Sequence, residues 1–169
     1  MAAPATYSID SSALIHGWRR VYRPRNFGII WERLAGLAEE GRLRASIEVF
    51  NELQKKEDEL LAWCKDRKDT LFVEIDDDIQ VHLTRIMANH PRLVDTVKGR
   101  SSADPFVIAL AATTNPSMMV VTEEYEGKTR IPDVCTAESI EYCRLADLIE
   151  RENWTFGTTA SGRAHDHAP

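Results

Sequence analysis

Four acidic residues stand at the ends of short apolar runs, where a strand or a helix meets a turn. They are Asp10 in YSIDSS, Glu52 in IEVFNEL, Asp104 in SADPFVIALA and Glu124 in MMVVTEE. Carboxylates at the ends of neighbouring elements can converge on one point of a fold, where they repel one another unless a divalent cation is bound. Such a cation can activate water and polarise a phosphoryl oxygen. The pattern therefore indicates a metal-dependent phosphodiesterase.

Two predicted strands carry the first and the last of these acids. Residues 5–10 (ATYSID) form a short strand-like run that ends at Asp10, and residues 118–121 form a continuous apolar run. A continuous apolar run is typical of a parallel strand that is covered on both faces. In parallel sheets, ligands bind outside the carboxyl ends of the strands. Asp10 and Glu124 are therefore expected on the same edge of one sheet.

Helices alternate with strands along the chain, which predicts an α/β domain around a short parallel sheet. A length of 169 residues favours one domain, which we expect over residues 5–157. Residues 158–169 contain too few apolar residues to fold and are predicted to form a disordered tail. Periodicity and apolar content predict a helix from Ser11, further helices over 29–40, 45–53, 57–68, 79–87, 105–112 and 137–150, and further strands over 71–75 and 131–135.

The overall charge limits the function only loosely. A net charge of −6 argues against a protein that simply coats nucleic acid, because such proteins have basic surfaces. It does not exclude a nuclease, since a bound divalent cation offsets the charge of an acidic cluster. The charge is therefore compatible with the metal-dependent chemistry.

The cysteines and the apolar segments indicate a location. Cys64, Cys135 and Cys143 are an odd number without the paired spacing of a metal site, which indicates reduced thiols. The chain does not start with a basic segment followed by an apolar one, and it has no run of about 18 apolar residues. We therefore expect a cytoplasmic protein that is neither exported nor membrane-spanning.

Two of the four acids also fit a structural role at a helix start. Asp10 precedes two serines, and Asp104 precedes Pro105, and both arrangements are typical of a helix N-terminus. A capping carboxylate keeps acceptor capacity after it has bound the helix N–H groups. The same residue can therefore cap a helix and bind a metal.

The other two acids each have an acidic neighbour that could take their place. Glu48 and Glu52 are four residues apart and share one helix face, and Glu123 is adjacent to Glu124. Spacing alone does not choose between the members of either pair. Three consecutive aspartates at 76–78 also resemble a metal cluster, but a charged helix start explains them more simply.

A basic segment, RRVYRPR, could hold the substrate. Its side chains Arg19, Arg20 and Arg23 could pair with phosphates, and Tyr22 could stack on a base. The alternatives are a solvated loop with structural ion pairs and a dock for an acidic segment of a partner. The residues leave these three interpretations open.

The order of the four motifs resembles the PIN-domain family, whose members include the VapC-like toxin ribonucleases. The matching segments are YSIDSSALI, a helix with NEL, ADPFVIALA and VVTEE, and the resemblance spans roughly residues 5–156. The segments WERL, NEL, LLAWC and IPDVC resemble a branch of PIN-like proteins catalogued as a domain of unknown function. The resemblance implies a three-layer α/β/α sandwich with a short central parallel sheet.

The resemblance also implies roles for individual residues and partners. It favours Glu52 over Glu48 and Glu124 over Glu123, and it implies an endoribonuclease that is the toxin of a toxin–antitoxin pair. The implied partners are an RNA substrate and a cognate antitoxin, and a homodimer is a further expected assembly. Oxygen ligands favour Mg²⁺ or Mn²⁺. The implied catalytic and metal-binding set is Asp10, Glu52, Asp104 and Glu124, with the hydroxyls of Ser12 and Thr122 as supports.

Two other functions compete with a nuclease. One is a PIN-like module that binds RNA or protein without cutting it, although the presence of all four acids argues against it. The other is a phosphoacceptor receiver domain, which is also α/β with acids at strand ends. A receiver requires an acidic pair near the end of its first strand, whereas Asp10 is followed by serines. A receiver is therefore disfavoured.

Overall fold

The computed structural model of the chain describes residues 2–94 and 103–157, and within them five short parallel strands form one sheet. The order of the strands across the sheet is β3-β2-β1-β4-β5. Each neighbouring pair is parallel, so all carboxyl ends lie on one edge. The strands are β1 (Tyr7–Ile9), β2 (Leu43–Ser46), β3 (Phe72–Val73), β4 (Met119–Val121) and β5 (Tyr142–Cys143).

Helices connect these strands. A π-helical turn, Gly17–Val21, joins the first two helices, and the second of them is interrupted at Phe27, whose backbone is not helical. In the described parts of the chain the helices are α1 (Ser11–His16), α2 (Pro24–Glu39), α3 (Ile47–Leu53), α4 (Glu59–Lys65), α5 (Lys68–Leu71), α6 (Asp77–Asn89), α7 (Asp104–Ala112), α8 (Ile131–Ala137) and α9 (Leu145–Arg151).

Both faces of the sheet are covered. Tyr7, Ser8 and Ile9 in β1 are all 0% exposed, although successive strand residues point to opposite faces. Ser8 Oγ donates to the carbonyl oxygen of Val107 in α7, and the hydroxyl of Tyr7 donates to Glu152, just after α9. Helices therefore pack on opposite faces, and the predicted α/β/α sandwich with a short parallel sheet is confirmed.

The strand order reverses at the centre of the sheet. From β1 the chain moves outward to β2 and β3, and then returns to place β4 on the other side of β1. Such a switch point leaves a crevice at the carboxyl ends of the two central strands. Asp10 follows β1 at this point, and its N–H continues the ladder to the carbonyl oxygen of Val121 at 2.9 Å.

Helix α7 runs antiparallel to the central strands. Val107 lies beside Ser8 in β1, and the carbonyl oxygen of Ala111 near its end accepts the N–H of Met118, just before β4. The N-terminus of α7 therefore points toward the carboxyl ends of the strands. Almost all of the helix is buried, as its uniformly apolar sequence predicts. This orientation brings Asp104 to the edge that carries Asp10.

The sequence prediction missed β2. Residues 45 and 46 were expected to open a helix, but they complete the strand, and α3 begins one residue later. Ser46 is the N-cap of α3 and its Oγ accepts the N–H of Glu48 at 3.3 Å. The strand has only four residues, one of them Arg44, and such a run is too short to show a periodicity.

The prediction was also wrong between β4 and the end of the domain. The expected strand over 131–135 is part of α8, and the expected helix over 137–150 contains β5 before α9 begins. Pro132 in the first turn, and Asp133, whose carboxylate accepts the N–H of Arg130, start a helix instead of a strand. Ser139, with φ of 57°, ends α8 and turns the chain into β5.

Other differences concern the boundaries of the predicted elements. The basic segment is not a plain loop, because Arg19 and Arg20 lie in the π-helical turn and α2 starts at Pro24. The predicted tail 158–169 lies outside the described residues. Among the helices that the structure describes, none has both the length and the apolar content needed to cross a bilayer.

Candidate functional site

Asp10 is the buried centre of the site. It caps α1 and is only 1% exposed. Its Oδ2 atom accepts hydrogen bonds from Ser12 Oγ at 2.6 Å, from the N–H of Ser12 at 3.4 Å and from Thr122 Oγ1 at 3.2 Å. Its Oδ1 atom is buried and has no hydrogen-bond partner in the described structure. The carboxylate is thus fixed through one oxygen while the other remains available for a ligand.

The electrostatics of Asp10 reveal which other acids face it. Burial above all, together with the negative charges of Glu124 and Glu52, raises the pKa of Asp10 to about 6, although hydrogen bonds from Ser12 and Thr122 lower it. Opposition between desolvation, like charges and hydrogen bonds is typical of carboxylates that share a site. Three acids from β1, α3 and the end of β4 therefore act on one region.

Glu52 is turned toward Asp10, whereas its neighbour Glu48 is not. Ser11 Oγ, in the residue after Asp10, donates to Glu52 Oε2 at 3.0 Å. Glu48 instead accepts a hydrogen bond from the side-chain amide of Asn51 at 3.3 Å on the same helix. Glu48 and Glu52, which sequence spacing could not distinguish, thus have different hydrogen-bond partners in the structure. The contact of Ser11 with Glu52 was not predicted from the sequence.

Glu124 and Glu123 also have different surroundings. Glu124 Oε2 accepts the N–H of Ile131 at the start of α8 at 3.2 Å, and its charge acts on Asp10. Glu123 Oε1 accepts the N–H of Leu145 at the start of α9 at 3.0 Å. The backbone N–H of Glu123 donates to Ser12 Oγ at 3.0 Å. Glu124 therefore belongs to the acidic site, and Glu123 joins the end of β4 to α9.

Asp104 lies at the same edge of the sheet. It is 2% exposed and is the first residue of α7. It precedes Val107 by three residues, which is about 4.5 Å along a helix, in the direction of the strand carboxyl ends. The fold therefore places the start of α7, and with it Asp104, at the strand edge that carries Asp10. We call Asp10, Glu52, Asp104 and Glu124 the acidic cluster.

The acidic cluster fits a hard cation that keeps much of its water. Among residues 2–94 and 103–157, no three His, Cys, Asp or Glu side chains are arranged closely enough to enclose a metal ion directly. Mg²⁺ is usually held by only one or two carboxylates together with several waters. Oxygen donors and the buried, unbonded Oδ1 of Asp10 match this kind of site. The donor set is therefore suitable for Mg²⁺ or Mn²⁺.

The basic segment contains one arginine that is held in an ion pair and others that are exposed. Arg19 forms an ion pair with Asp58 at 2.6 Å, which leaves it little freedom to bind a substrate. Arg20 and Arg23 are exposed, and Arg23 donates to the carbonyl oxygen of Arg19 at 3.0 Å. Tyr22 is half-buried, and its pKa is raised by burial and then by the nearby charges of Glu123 and Asp147.

A cavity that no sequence motif predicts adjoins the acidic cluster. Its volume is about 410 Å³, and it extends from Thr122 and Glu124 to β5 and the start of α9. Tyr125 and Arg144 lie in its wall, with the guanidinium 4.1 Å from the centre of the ring. Tyr125 directly follows Glu124 in the sequence, but Arg144 is 19 residues away and no motif marks it.

The sequence profile of DUF4411, a domain of unknown function, matches residues 7–156. The chain belongs to the DUF4411 family. This result confirms the predicted likeness to a branch that is catalogued as a domain of unknown function. No functionally curated protein matches the sequence of this DUF4411 chain.

Two solved structures share the fold of this DUF4411 domain. VapBC-1 from nontypeable Haemophilus influenzae has a TM-score of 0.54 and 16% identity over 83% of this chain and 98% of its own. The DNA-bound VapBC from Salmonella typhimurium has a TM-score of 0.55 and 17% identity over 84% of this chain and 99% of its own. VapC is a PIN-domain toxin, so the predicted PIN-like fold is confirmed.

Proposed function

We propose that this DUF4411 protein is a Mg²⁺- or Mn²⁺-dependent endoribonuclease and the toxin of a type II toxin–antitoxin pair. The observation that carries the proposal is the coupling of Asp10 to Glu52 and Glu124, which come from separate segments of the chain. Their shared position is the crevice at the switch point of a parallel sheet, where such folds bind ligands. Like charges held around a buried carboxylate oppose folding when no cation is bound, which supports a bound metal.

Each residue of the proposed site has a distinct task. Asp10 and Asp104 would hold the ion, and Ser12 and Thr122 would fix Asp10 through Oδ2 so that Oδ1 faces the crevice. Glu52, oriented by Ser11, would bind directly or position the attacking water. When bound, the ion supplies Lewis acidity toward the phosphodiester and offsets the charge of the carboxylates. Glu124 would complete the site at the cavity side.

The likeness to two VapBC structures supports the toxin role and the expectation of an antitoxin. An antitoxin segment that covers the crevice would block access to Asp10. Burial raises the pKa values of the thiols of Cys64, Cys135 and Cys143 to about 12, which keeps them unreactive. Three free, buried thiols support the proposed cytoplasmic location.

An RNA-cleavage assay tests the proposal. Purified protein is incubated with structured and single-stranded RNA in Mg²⁺, in Mn²⁺ and in chelator, beside the variants Asp10→Asn and Glu48→Gln. We expect cleavage in the metals by the native protein and by Glu48→Gln, and none in chelator or with Asp10→Asn. Glu48 is a matched control because it lies on the same helix as Glu52 but outside the cluster. Undiminished cleavage by Asp10→Asn would refute the proposed site.

A second function, a PIN-like module that binds RNA or protein without cutting, needs no metal at the acidic cluster. Titration of Mg²⁺ and Mn²⁺ by calorimetry separates the two functions, because the binding module predicts no heat of binding that depends on Asp10. The nuclease predicts such heat, and its loss in Asp10→Asn.

A further inference from the structure

The cavity beside the acidic cluster has the composition of a nucleobase site. We propose that it binds one unpaired base of the substrate strand, stacked on Tyr125, and prefers a base edge that donates hydrogen bonds. The inference rests on the proposed function, because it assigns the substrate contacts next to the same site. The cavity shares Thr122 and Glu124 with the site, so its occupant would lie beside the bond that is cut.

Tyr125 provides the stacking surface. Its side chain is 64% exposed, although the guanidinium of Arg144 lies over its ring, 4.1 Å from the centroid. With one face covered, so large an exposed fraction requires that much of the opposite face be open. Stacking of a base on an exposed aromatic ring stabilises single-stranded nucleic acid binding and works with every base. The cation also fixes the ring before any ligand arrives.

The walls of the cavity favour a neutral group with donors over a phosphate. Glu124, Glu126 and Asp147 contribute three carboxylates against the single guanidinium of Arg144. An anion would be repelled by this excess of negative charge. Base N–H groups, in contrast, can donate to carboxylates, as the amino groups of bases do to Asp and Glu in nucleic-acid recognition.

The far wall is held in place by hydrogen bonds. Tyr142 donates from its hydroxyl to Glu126 Oε1 at 2.7 Å, and Asp147 Oδ2 accepts the N–H of Arg144 at 2.9 Å. A carboxylate has about four acceptor positions, so Glu126 keeps capacity for a ligand. Guanine presents two adjacent donors on one edge, N1–H and the 2-amino group. Guanine is therefore the base we expect to bind best.

Binding can be measured separately from cleavage. The probes are fluorescein-labelled heptaribonucleotides, U7 and U7 with guanine at its central position, in Ca²⁺, which takes oxygen ligands. Gel electrophoresis verifies that the RNA stays intact, and fluorescence anisotropy gives Kd. We expect Tyr125→Ala to weaken binding about tenfold, in the range of base–aromatic stacking. Tyr125→Phe, which keeps the ring, should stay within twofold of the native protein.

A matched control is Phe156→Ala. Phe156 is also an exposed aromatic residue, 44% exposed, with a guanidinium, that of Arg33, 5.4 Å from its ring centre. It does not line the cavity, so its loss should leave Kd within twofold. Equal Kd values for Tyr125→Ala and the native protein would overturn the inference. An equal loss of affinity in Phe156→Ala would also overturn it, because binding would then depend on any exposed aromatic side chain and not on the cavity.

A separate variant tests the preference for a base edge that donates hydrogen bonds. Glu126→Gln keeps the size of the side chain but replaces one acceptor by a donor. We expect the native protein to bind the guanine-containing probe about fivefold more tightly than U7, and Glu126→Gln to lose most of this preference. Equal binding of both probes by the native protein would overturn the assigned edge.

Failure of this inference can be told apart from failure of the proposed function. A protein that cuts no RNA, but in which Tyr125→Ala weakens probe binding, would contradict the nuclease and support the base site. A protein that cuts RNA with the same KM and probe Kd in Tyr125→Ala would support the nuclease and contradict the base site.

Discussion

The two carboxylate oxygens of Asp10 have opposite hydrogen-bonding states in the protein interior. Its Oδ2 atom receives three hydrogen bonds from Ser12 and Thr122, while Oδ1 is buried without one. An unsatisfied buried polar atom costs about 1–3 kcal/mol, and more when it is charged. Strain of this kind is typical of groups that a ligand completes. This arrangement suits the proposed metal ligand and lowers the stability of the protein when no ligand is bound.

The variant Asp10→Asn should separate the effect of Asp10 on stability from its proposed role in metal binding. In chelator at pH 8, removal of the buried charge should raise the free energy of unfolding by about 1–3 kcal/mol, because the amide can keep the contacts at Oδ2 and place its NH₂ toward Glu52 and Glu124. Urea unfolding measures this change. A clear loss of stability in chelator would show that the carboxylates do not repel one another across the site.

The pH dependence of stability follows from the raised pKa of Asp10. The unfolded chain has the ordinary value of 3.8 and the folded protein a pKa of about 6, so the folded state binds more protons between these limits. Stability from this group is therefore full below pH 4 and falls as the pH rises through 6. The fall is on the order of 3 kcal/mol. Urea unfolding in chelator from pH 4 to 8, with Asp10→Asn as control, should show a flatter profile for the variant.

Single residues were predictable from the sequence to different degrees. Asp10 and Asp104 combine an apolar run with a helix start, and the structure buries both at one edge. Glu52 and Glu124 could not be separated from Glu48 and Glu123 by spacing, because the choice depends on which direction the side chain takes. That direction is set by the contact of Glu52 with Ser11, 41 residues away, and by the contact of Glu124 with the start of α8, 7 residues away. The metal and catalytic roles of the four stay predictions.

The elements hold the site through contacts between α1, the π-helical turn and the start of α9. Gly17, at the junction of α1 and the turn, packs against Leu145 and the ring of Trp31. A Cβ atom there would lie 2.7 Å from Leu145 Cδ2 and 3.3 Å from the Trp31 ring. Because Leu145 and Trp31 are only 1% and 2% exposed, neither has room to move aside. The close approach therefore requires glycine.

Gly17→Ala should destabilise the protein by about 1–3 kcal/mol, the usual cost of overpacking a core. Gly36→Ala is the control, since nothing lies within 4 Å of the position of its Cβ inside α2. That substitution should stabilise the protein by about 0.5–1 kcal/mol through helix propensity. Urea unfolding of both variants measures the difference, and equal effects would contradict the packing at Gly17.

At the scale of elements, the sequence identified those that a continuous apolar run marks. The apolar helix α7 and the strand β4 were predicted within about a residue of their observed bounds. The three residues of β4 were found because they belong to a continuous apolar run, whereas β2 contains Arg44 and Ser46 and β5 has only two residues. They are strands only because β1 and β4 supply hydrogen-bond partners on either side. α8 was misread although Pro132 and Asp133 mark a helix start.

At the scale of the whole molecule, the strand order decides where the chemistry lies. The alternation of strands and helices predicted a covered parallel sheet. The order β3-β2-β1-β4-β5, with its switch point between β1 and β4, could be determined only from the structure. Asp10, Glu52 and Glu124 then come to one region from distant parts of the chain, and the start of α7 places Asp104 on the same edge of the sheet. The cavity beside it depends on β5 and α9, which the sequence did not place. The cavity was therefore the least predictable feature.

A folded protein with a crevice of this kind should be stabilised by the ion it binds. Binding to the folded state alone adds RT ln(1 + [L]/Kd), about 2.7 kcal/mol at a Mn²⁺ concentration 100 times Kd. For a domain of this size the corresponding rise in Tm is about 5–10 °C. Thermal unfolding at increasing Mn²⁺ should show this rise for the native protein and little for Asp10→Asn.

The matched control for this thermal shift is Asp77→Asn. Asp77 belongs to the other acidic run of the chain, in the first turn of α6, and a charged helix start explains it. Its replacement should lower the starting Tm slightly while the rise with Mn²⁺ stays the same. If Asp77→Asn removes the rise and Asp10→Asn keeps it, the ion binds at the start of α6. That result would contradict a metal site at the strand edge, since the fold places Asp10, and not Asp77, at the switch point.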